Sequence, residues 1–368
     1  MKEKHTINTI TSFLEQRAPL SSQESYDNSG LIVGDPSNAV QGVLLSLDCT
    51  EAVVDEAIEM GANLIIAHHP IVFKGIKKLN GKNYVERTVI KAIKNDIAIY
   101  AIHTNLDNYR FGVNQEIGKR IGLENLNILS PAKNALKKLI VFCPEDDTLN
   151  LSKALFEAGA GNIGEYDECS FETEGLGGFR PNEAANPAIG KSGHRETVRE
   201  HKIEVIVSAH ELPRVLAAMH RAHPYEEVAH DILPLENKNH YEGAGMIGKL
   251  PAPMDATAFL KHIKKEFNSQ VIRHTPLLKD TIQHVAFCGG AGSFLLEAAK
   301  AHDADIYITG DFKYHEFFDA ENDIVIADIG HYESEQFTPN LLLSILKKNF
   351  INFAFHLSKV NTNPINYF

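Results

Sequence analysis

The chain has 368 residues, 43% of them hydrophobic, which is enough for two or three domains with sizeable cores. Its net charge of −12 argues against a nucleic-acid protein, because a phosphate-binding face brings a basic excess. No apolar run reaches bilayer-spanning length and the opening MKEKHTINTITSFLEQRAPL lacks a secretory apolar stretch, so a soluble cytoplasmic protein is expected, away from membranes.

Residues 7–16 carry helical periodicity and 42–47 (GVLLSL) read as a strand. Residues 51–60 form a helix pattern with an apolar i, i+3, i+4 stripe and Gly61 at its C-terminal end. Strand 64–67, helix 84–95 and strand 97–102 follow. This spacing is the signature of α/β crossover units.

The texture changes between about 135 and 240. KKLIVFCP is a strand pattern, DTLNLSKALFEAG a helix and CSFETEGLGGFRP a strand with a glycine-rich bend. A polar loop over 181–193 precedes strand HKIEVIVSA, helix ELPRVLAAMHRAH and strand EEVAHDILPL. That order, β-α-β-β-α-β, predicts a ferredoxin-like α+β domain. SPAKN (130–134) and LENKNHYEGAG (235–245) read as its linkers.

Strand–helix alternation then returns. Residues 285–288 are a strand followed by GGAGS (289–293) and a helix through Lys300; 306–309 and 324–327 are strands. A last helix over 339–349 leads to INFAFHLS, an edge strand. The expected architecture is an outer α/β domain made from 1–130 and 243–368, interrupted by a ferredoxin-like insert at 131–242. It requires that the two outer segments share a sheet.

Cysteine offers little chemistry: Cys49, Cys143, Cys169 and Cys288 form no C-x-x-C pair, which points away from a thiolate zinc site or a disulfide framework. Histidine is abundant, at eighteen. In open α/β sheets ligands bind beyond the carboxyl ends of strands. Four strand ends there carry polar clusters: His68-His69-Pro70; His103 with Asp107; Asp311 with His315; and Asp328 with His331 and Glu335. Singly, each is an ordinary turn, cap or solvated helix face; together they predict one site. Imidazole and carboxylate without thiolate suit zinc, iron or manganese. His331 and Glu335, at i, i+4, share a face if a helix begins there. In GGAGS, Gly289, Gly290, Gly292 and Ser293 either form a tight turn or hold a substrate phosphate at a helix N-terminus.

The stretches YDNSGLIVGDP (26–36), AHHPIVF (67–73), HTNLDNYRFGVN (103–114), GGAGS, GDFKYHE (310–316), GHYESE (330–335) and NTNPI (361–365) resemble a known family. It is the dinuclear-metal family of GTP cyclohydrolase I type 2 homologues, or NGG-interacting-factor-three-like proteins. The insert, with HPYEEVAHDI (223–232), resembles CutA and PII-like folds found in the longer bacterial members. The family usually carries tryptophan where this chain has Tyr26. The resemblance implies two divalent ions per subunit, zinc first with iron or manganese as alternatives, held by His68, His69, Asp107, His331 and Glu335. It also implies a homohexameric ring and a nucleotide or other phosphorylated small molecule as substrate.

Two neighbouring divalent ions activate water near neutral pH, which argues for a hydrolase. In a cyclohydrolase, water would open the purine ring at C8 and release formate, with His315 or His103 moving the proton. Phosphoester cleavage and non-enzymatic metal handling are the rival readings. Pro70 holds His69 extended, so the His68-His69 pair is expected to splay over two ions.

Overall fold

The apolar tetrapeptides of the first hundred residues become the inner strands of a parallel sheet in the computed structural model, which describes residues 5–133 and 135–368. The first four residues of the chain and Asn134 of the expected first linker lie outside the described residues. Strands β1 (Gly30–Val33), β2 (Val43–Ser46), β3 (Leu64–Ala67) and β4 (Ala98–Ala101) arise in this segment. Every residue of β2, β3 and β4 is buried, as expected for a sheet covered on both faces. Leu44, Ile65 and Ile99 lie side by side in register and face the helices Glu51–Met60 and Tyr84–Lys94. Leu45, Ile66 and Tyr100, one residue on, face the opposite way because strand side chains alternate. The segment closes with β5 (Glu124–Pro131).

Residues Ala132–His240 form a compact unit of their own. It contains β6 (Leu136–Pro144), helix Thr148–Glu157, β7 (Ser170–Phe179), β8 (Glu196–Ser208), helix Leu212–Ala222 and β9 (His230–Leu235). The strands run antiparallel in the order β7-β8-β6-β9. This is the split-βαβ arrangement of a ferredoxin-like domain. Leu139, Val141 and Cys143 of β6 and Ile203, Val205 and Val207 of β8 alternate onto the helix-covered face, where Leu151, Leu155, Val215 and Met219 meet them.

The other unit joins Met1–Pro131 to Tyr241–Phe368. After the insert come β10 (Gly243–Asp255), β11 (Arg273–His274), β12 (Thr281–Ala291), β13 (Ile306–Gly310), β14 (Val325–Asp328) and β15 (Phe355–Leu357). The two outer segments do share sheets, and this unit has two of them. One runs β1-β4-β3-β2-β15 and the other β11-β14-β13-β12-β10-β5. Each segment lends the other an edge strand: β15 pairs with β2, and β5 with β10. Leu45, Ile66 and Tyr100 of the first sheet share one core with Phe287, Ile308 and Ala327 of the second. Helices Val113–Ile121, Ala256–Glu266 and Thr338–Asn349 contribute Ile117, Phe259 and Leu342 to it. Each such side chain contributes about 1.5–3 kcal/mol by leaving water. Among the described residues no helix is long and apolar enough to cross a membrane.

Candidate metal centre

Three strand ends and one helix start converge where the two sheets meet. His68 and His69 follow β3, and their amides extend the parallel ladder onto Ser46 and Leu47 of the β2 end. His103 follows β4 and opens the short helix Thr104–Asp107, which supplies Asp107. Beyond β14, the five-residue helix His331–Glu335 puts its first and last residues on one face.

Each histidine is oriented through one ring nitrogen. His68 Nδ1 bonds the Ile102 carbonyl at 2.8 Å, and His69 Nδ1 the Asp48 carboxylate at 2.7 Å. His331 Nδ1 bonds Asp311 at 2.8 Å, and His103 Nδ1 bonds Asp27, whose side chain is buried, at 2.8 Å. Partners of this kind fix the ring plane and direct Nε2 inward, the arrangement that metal-binding histidines use.

The inward atoms fall into two groups about Glu335. His69 Nε2 and His331 Nε2 lie 3.0 and 3.2 Å from Glu335 Oε2 and 3.3 Å from each other. His68 Nε2 lies 3.8 Å from Glu335 Oε1 and 3.6 Å from Asp107 Oδ1. In each group the candidate donor atoms lie within 4.8 Å of one another, so each could hold a metal ion. A third grouping joins His103 to His68 and His69. His68 Nε2 and Asp107 Oδ1 are buried with no hydrogen-bond partner. Buried polar atoms rarely remain so, and two of them facing a shared carboxylate fit a cation bound between them.

The electrostatics agree. Burial, reinforced by the Glu335 charge, pushes the Asp107 carboxyl up to about 8. Burial alone would lower His69 and His331, but carboxylate partners overcome it. Asp48 and Glu335 raise His69 to about 9, and Glu335 and Asp311 raise His331 to about 11. Glu335 is held well below the usual carboxylate range despite its burial, by the charge and hydrogen bond of His331 and by the histidine pair. The packed carboxylates thus favour positive charge beside them.

GGAGS has a different role from a phosphate cradle. Gly289–Ala291 belong to β12, and only a six-residue helix, Leu296–Ala301, follows. The Gly289 amide donates to Asn114 Oδ1 and the Gly290 amide to Ser334 Oγ, so neither is free for an anion. Gly290 has φ +60, and a Cβ there would stand 2.5 Å from Glu335 Oε1. Gly292 is hemmed by Thr309 and Tyr307, and Ser293 begins a 3₁₀ turn. These glycines admit the centre rather than grip a ligand.

His315 is likewise not brought to the cluster. Asp311 turns toward His331 from a left-handed backbone (φ 59), but His315 lies on the 3₁₀ helix Tyr314–Ala320, exposed beside Tyr314 and Phe318. His103 does join it, its ring 5.3 and 5.4 Å from those of His68 and His69. Sequence reasoning gave no role to Asp48, Asp27 or Asn114. Asp48 ends the LLSLD run and also accepts from Thr362 of NTNPI. Asn114 ties the Asp107 carbonyl to the Gly289 amide. A cavity of about 520 Å³ opens over the cluster, flanked by Tyr26, Phe73, Phe294 and Tyr332. Tyr26 is 58% exposed, so the exchange of tryptophan for tyrosine falls at the cavity mouth rather than within the core.

The fold and the cluster define an α/β protein with an inserted ferredoxin-like domain and a candidate His/Asp/Glu metal centre. The chain belongs to the Duf34/NIF3 (NGG1p interacting factor 3) family, whose pattern it matches over residues 5–364. It is 40% identical over 364 residues to a Halalkalibacterium halodurans protein named GTP cyclohydrolase 1 type 2 homolog, spanning 98% of each chain. A Staphylococcus aureus protein of the same name is 36% identical over 366 residues, 98% of this chain and 99% of that one. The crystal structure of a Bacillus cereus protein related to NIF3 matches all of both chains at 38% identity, with a TM-score of 0.87.

Proposed function

We propose that the chain is a metal-dependent hydrolase acting on a nucleotide. Two divalent ions would be held by His69, His331 and Glu335 on one side and by His68, Asp107 and Glu335 on the other. The observation that carries this reading is Glu335, whose two oxygens face different histidine groups. The donor set favours zinc, ahead of iron or manganese. Divalent ions in such a pair supply Lewis acidity and lower the pKa of water toward neutrality. His103, braced by Asp27, would carry the proton in this reading.

The lining of the cavity favours ring hydrolysis over phosphoester cleavage. Glu24, Asp48, Asp107, Asp311 and Glu335 line it, whereas no lysine or arginine does so among the described residues. Tyr26 and Phe73, with ring centroids 6.1 Å apart, offer aromatic surface to a planar base. A nucleotide would therefore enter base first, with its phosphates toward solvent. The name borne by the Halalkalibacterium and Staphylococcus relatives supports the same substrate class.

The test is to purify the protein without added ions, measure its metal content, and incubate it with GTP and other nucleotides. Ion-dependent formate release is expected. Phosphate release without formate would transfer the site to the phosphoester reading, and a fully loaded protein inert on every nucleotide would leave metal handling. We also propose a homohexamer, which light scattering of the purified protein would measure.

A further inference from the structure

The inserted domain contains a cavity of its own, about 680 Å³, between the β7–β8 ribbon and the loop 181–189. That volume is normal for a small-molecule site. Its floor is Glu200, a residue 8% exposed on β8. Buried carboxylates are costly unless paired, yet the bond to Glu200 is a neutral one: Tyr225 Oη donates to Oε1 at 3.0 Å. Oε2 has no hydrogen-bond partner among the described residues, and it is not sealed from the cavity either. The side chain packs against Gly177, where any Cβ would overlap the carboxylate, so a glycine is what opens the space beside it.

Neither cation at this cavity bonds Glu200. Lys202 pairs with Glu204, and Arg180 donates through Nε to the Gly193 carbonyl at 3.0 Å. Aromatic rings complete the wall: Tyr225 and Phe179 stand 5.8 Å apart at 61°, and Phe142 joins them. Aromatic faces beside a buried carboxylate are the combination that recognises ammonium groups.

We propose that this cavity is a second ligand site, specific for an organic ammonium cation with an apolar body, its charge on Glu200 and its body between Tyr225, Phe179 and the loop. The site lies wholly within the insert and does not depend on the metal-centre reading.

Benzyltrimethylammonium is the discriminating probe, because its nitrogen has no lone pair and cannot ligate a metal. Titrated into the full chain and followed by ligand-observed NMR, it should bind saturably with a Kd of about 1 mM or tighter. Glu200→Gln keeps an acceptor for Tyr225 and should weaken binding at least about tenfold, the value of one lost charge contact. Phe179→Ala, on a partly exposed edge strand, should weaken it about threefold or more through the lost ring face. Unchanged thermal melts establish that both variants are folded. Benzoate, similar in size and opposite in charge, should not compete. No saturation up to about 10 mM, equal binding of benzoate, or full binding by folded Glu200→Gln would each overturn the proposal.

Discussion

Gly290→Ala gives the sharpest test of the Glu335 arrangement. The substitution has two separable effects. Alanine at φ +60 carries about 1–2 kcal/mol of left-handed strain. Its Cβ would also lie 2.5 Å from Glu335 Oε1 and 3.3 Å from His331 Cε1. Ordinary contact begins near 3.4 Å, so the carboxylate oxygen must retreat by about 0.9 Å, the difference between 3.4 and 2.5 Å. Metal–ligand distances tolerate about 0.2 Å. Because Glu335 faces both histidine groups, this displacement should weaken both ions together, by about 100-fold or more. Gly122→Ala is the control, since it has φ +84 with no atom within 4 Å of the added methyl. It should lower Tm by a few degrees and leave metal content intact. The assay is mass-spectrometric metal content after dialysis against a weak chelator, with thermal melts of both variants. Full metal content in Gly290→Ala would refute the shared role of Glu335.

His68→Ala and His69→Ala should each deplete one ion preferentially, because their Nε2 atoms approach different oxygens of Glu335; equal loss of both ions in each variant, by metal analysis, would sink the two-group assignment. Asp48→Asn should weaken the His69 group by about 10–100-fold in calorimetric titration while sparing the His68 group. Chelated protein should melt lower at pH 8.5 than at pH 5.5. Asp107, at about 8, and His69 and His331, at about 9 and 11, all bind protons more tightly folded than their ordinary values of 3.8 and 6.5 allow. Their contribution to stability is therefore fully present below those ordinary values and is lost as pH rises through the folded ones. Asp27, Asp48 and Asp311, all lowered, act oppositely and lose their contribution in acid. A Tm that rises between pH 5.5 and 8.5 would contradict this balance.

What could be read in the sequence is what periodicity and strand ends encode. LIIA and AIYA are apolar at every position, so the strands and the histidines beyond them were visible. The edge strand β5 and its neighbour β10 are hidden, since ENLNILSP mixes exposed polar residues into its pattern and Gly243–Gly245 read as linker. Asp48 bonds His69 and Thr362, and Asn114 bonds Asp107 and Gly289, and no spacing rule marks such partners. Closeness to a strand end does not fix direction: the chain turns between Asp311 and Tyr314, and His315 stands exposed on the 3₁₀ helix. In GGAGS, Gly290 makes room for Glu335, a contact with a residue far along the chain that the motif itself does not announce.

The His68-His69 doublet shows why the centre needs such a frame. Asp107 and Glu335 are buried together, and their mutual repulsion is part of what raises Asp107. Removing such charges from water is unfavourable unless a cation accompanies them. A flexible loop would relieve the strain by moving apart. Here Asp107 cannot withdraw easily, because Asn114 ties its backbone to β12, and Glu335 stands on a helix fastened through Ser334 to Gly290. The frame thus keeps the carboxylates close together, in a site shaped for cations. His68 Nε2 and His69 Nε2 approach different oxygens of Glu335, so that one carboxylate faces both histidines.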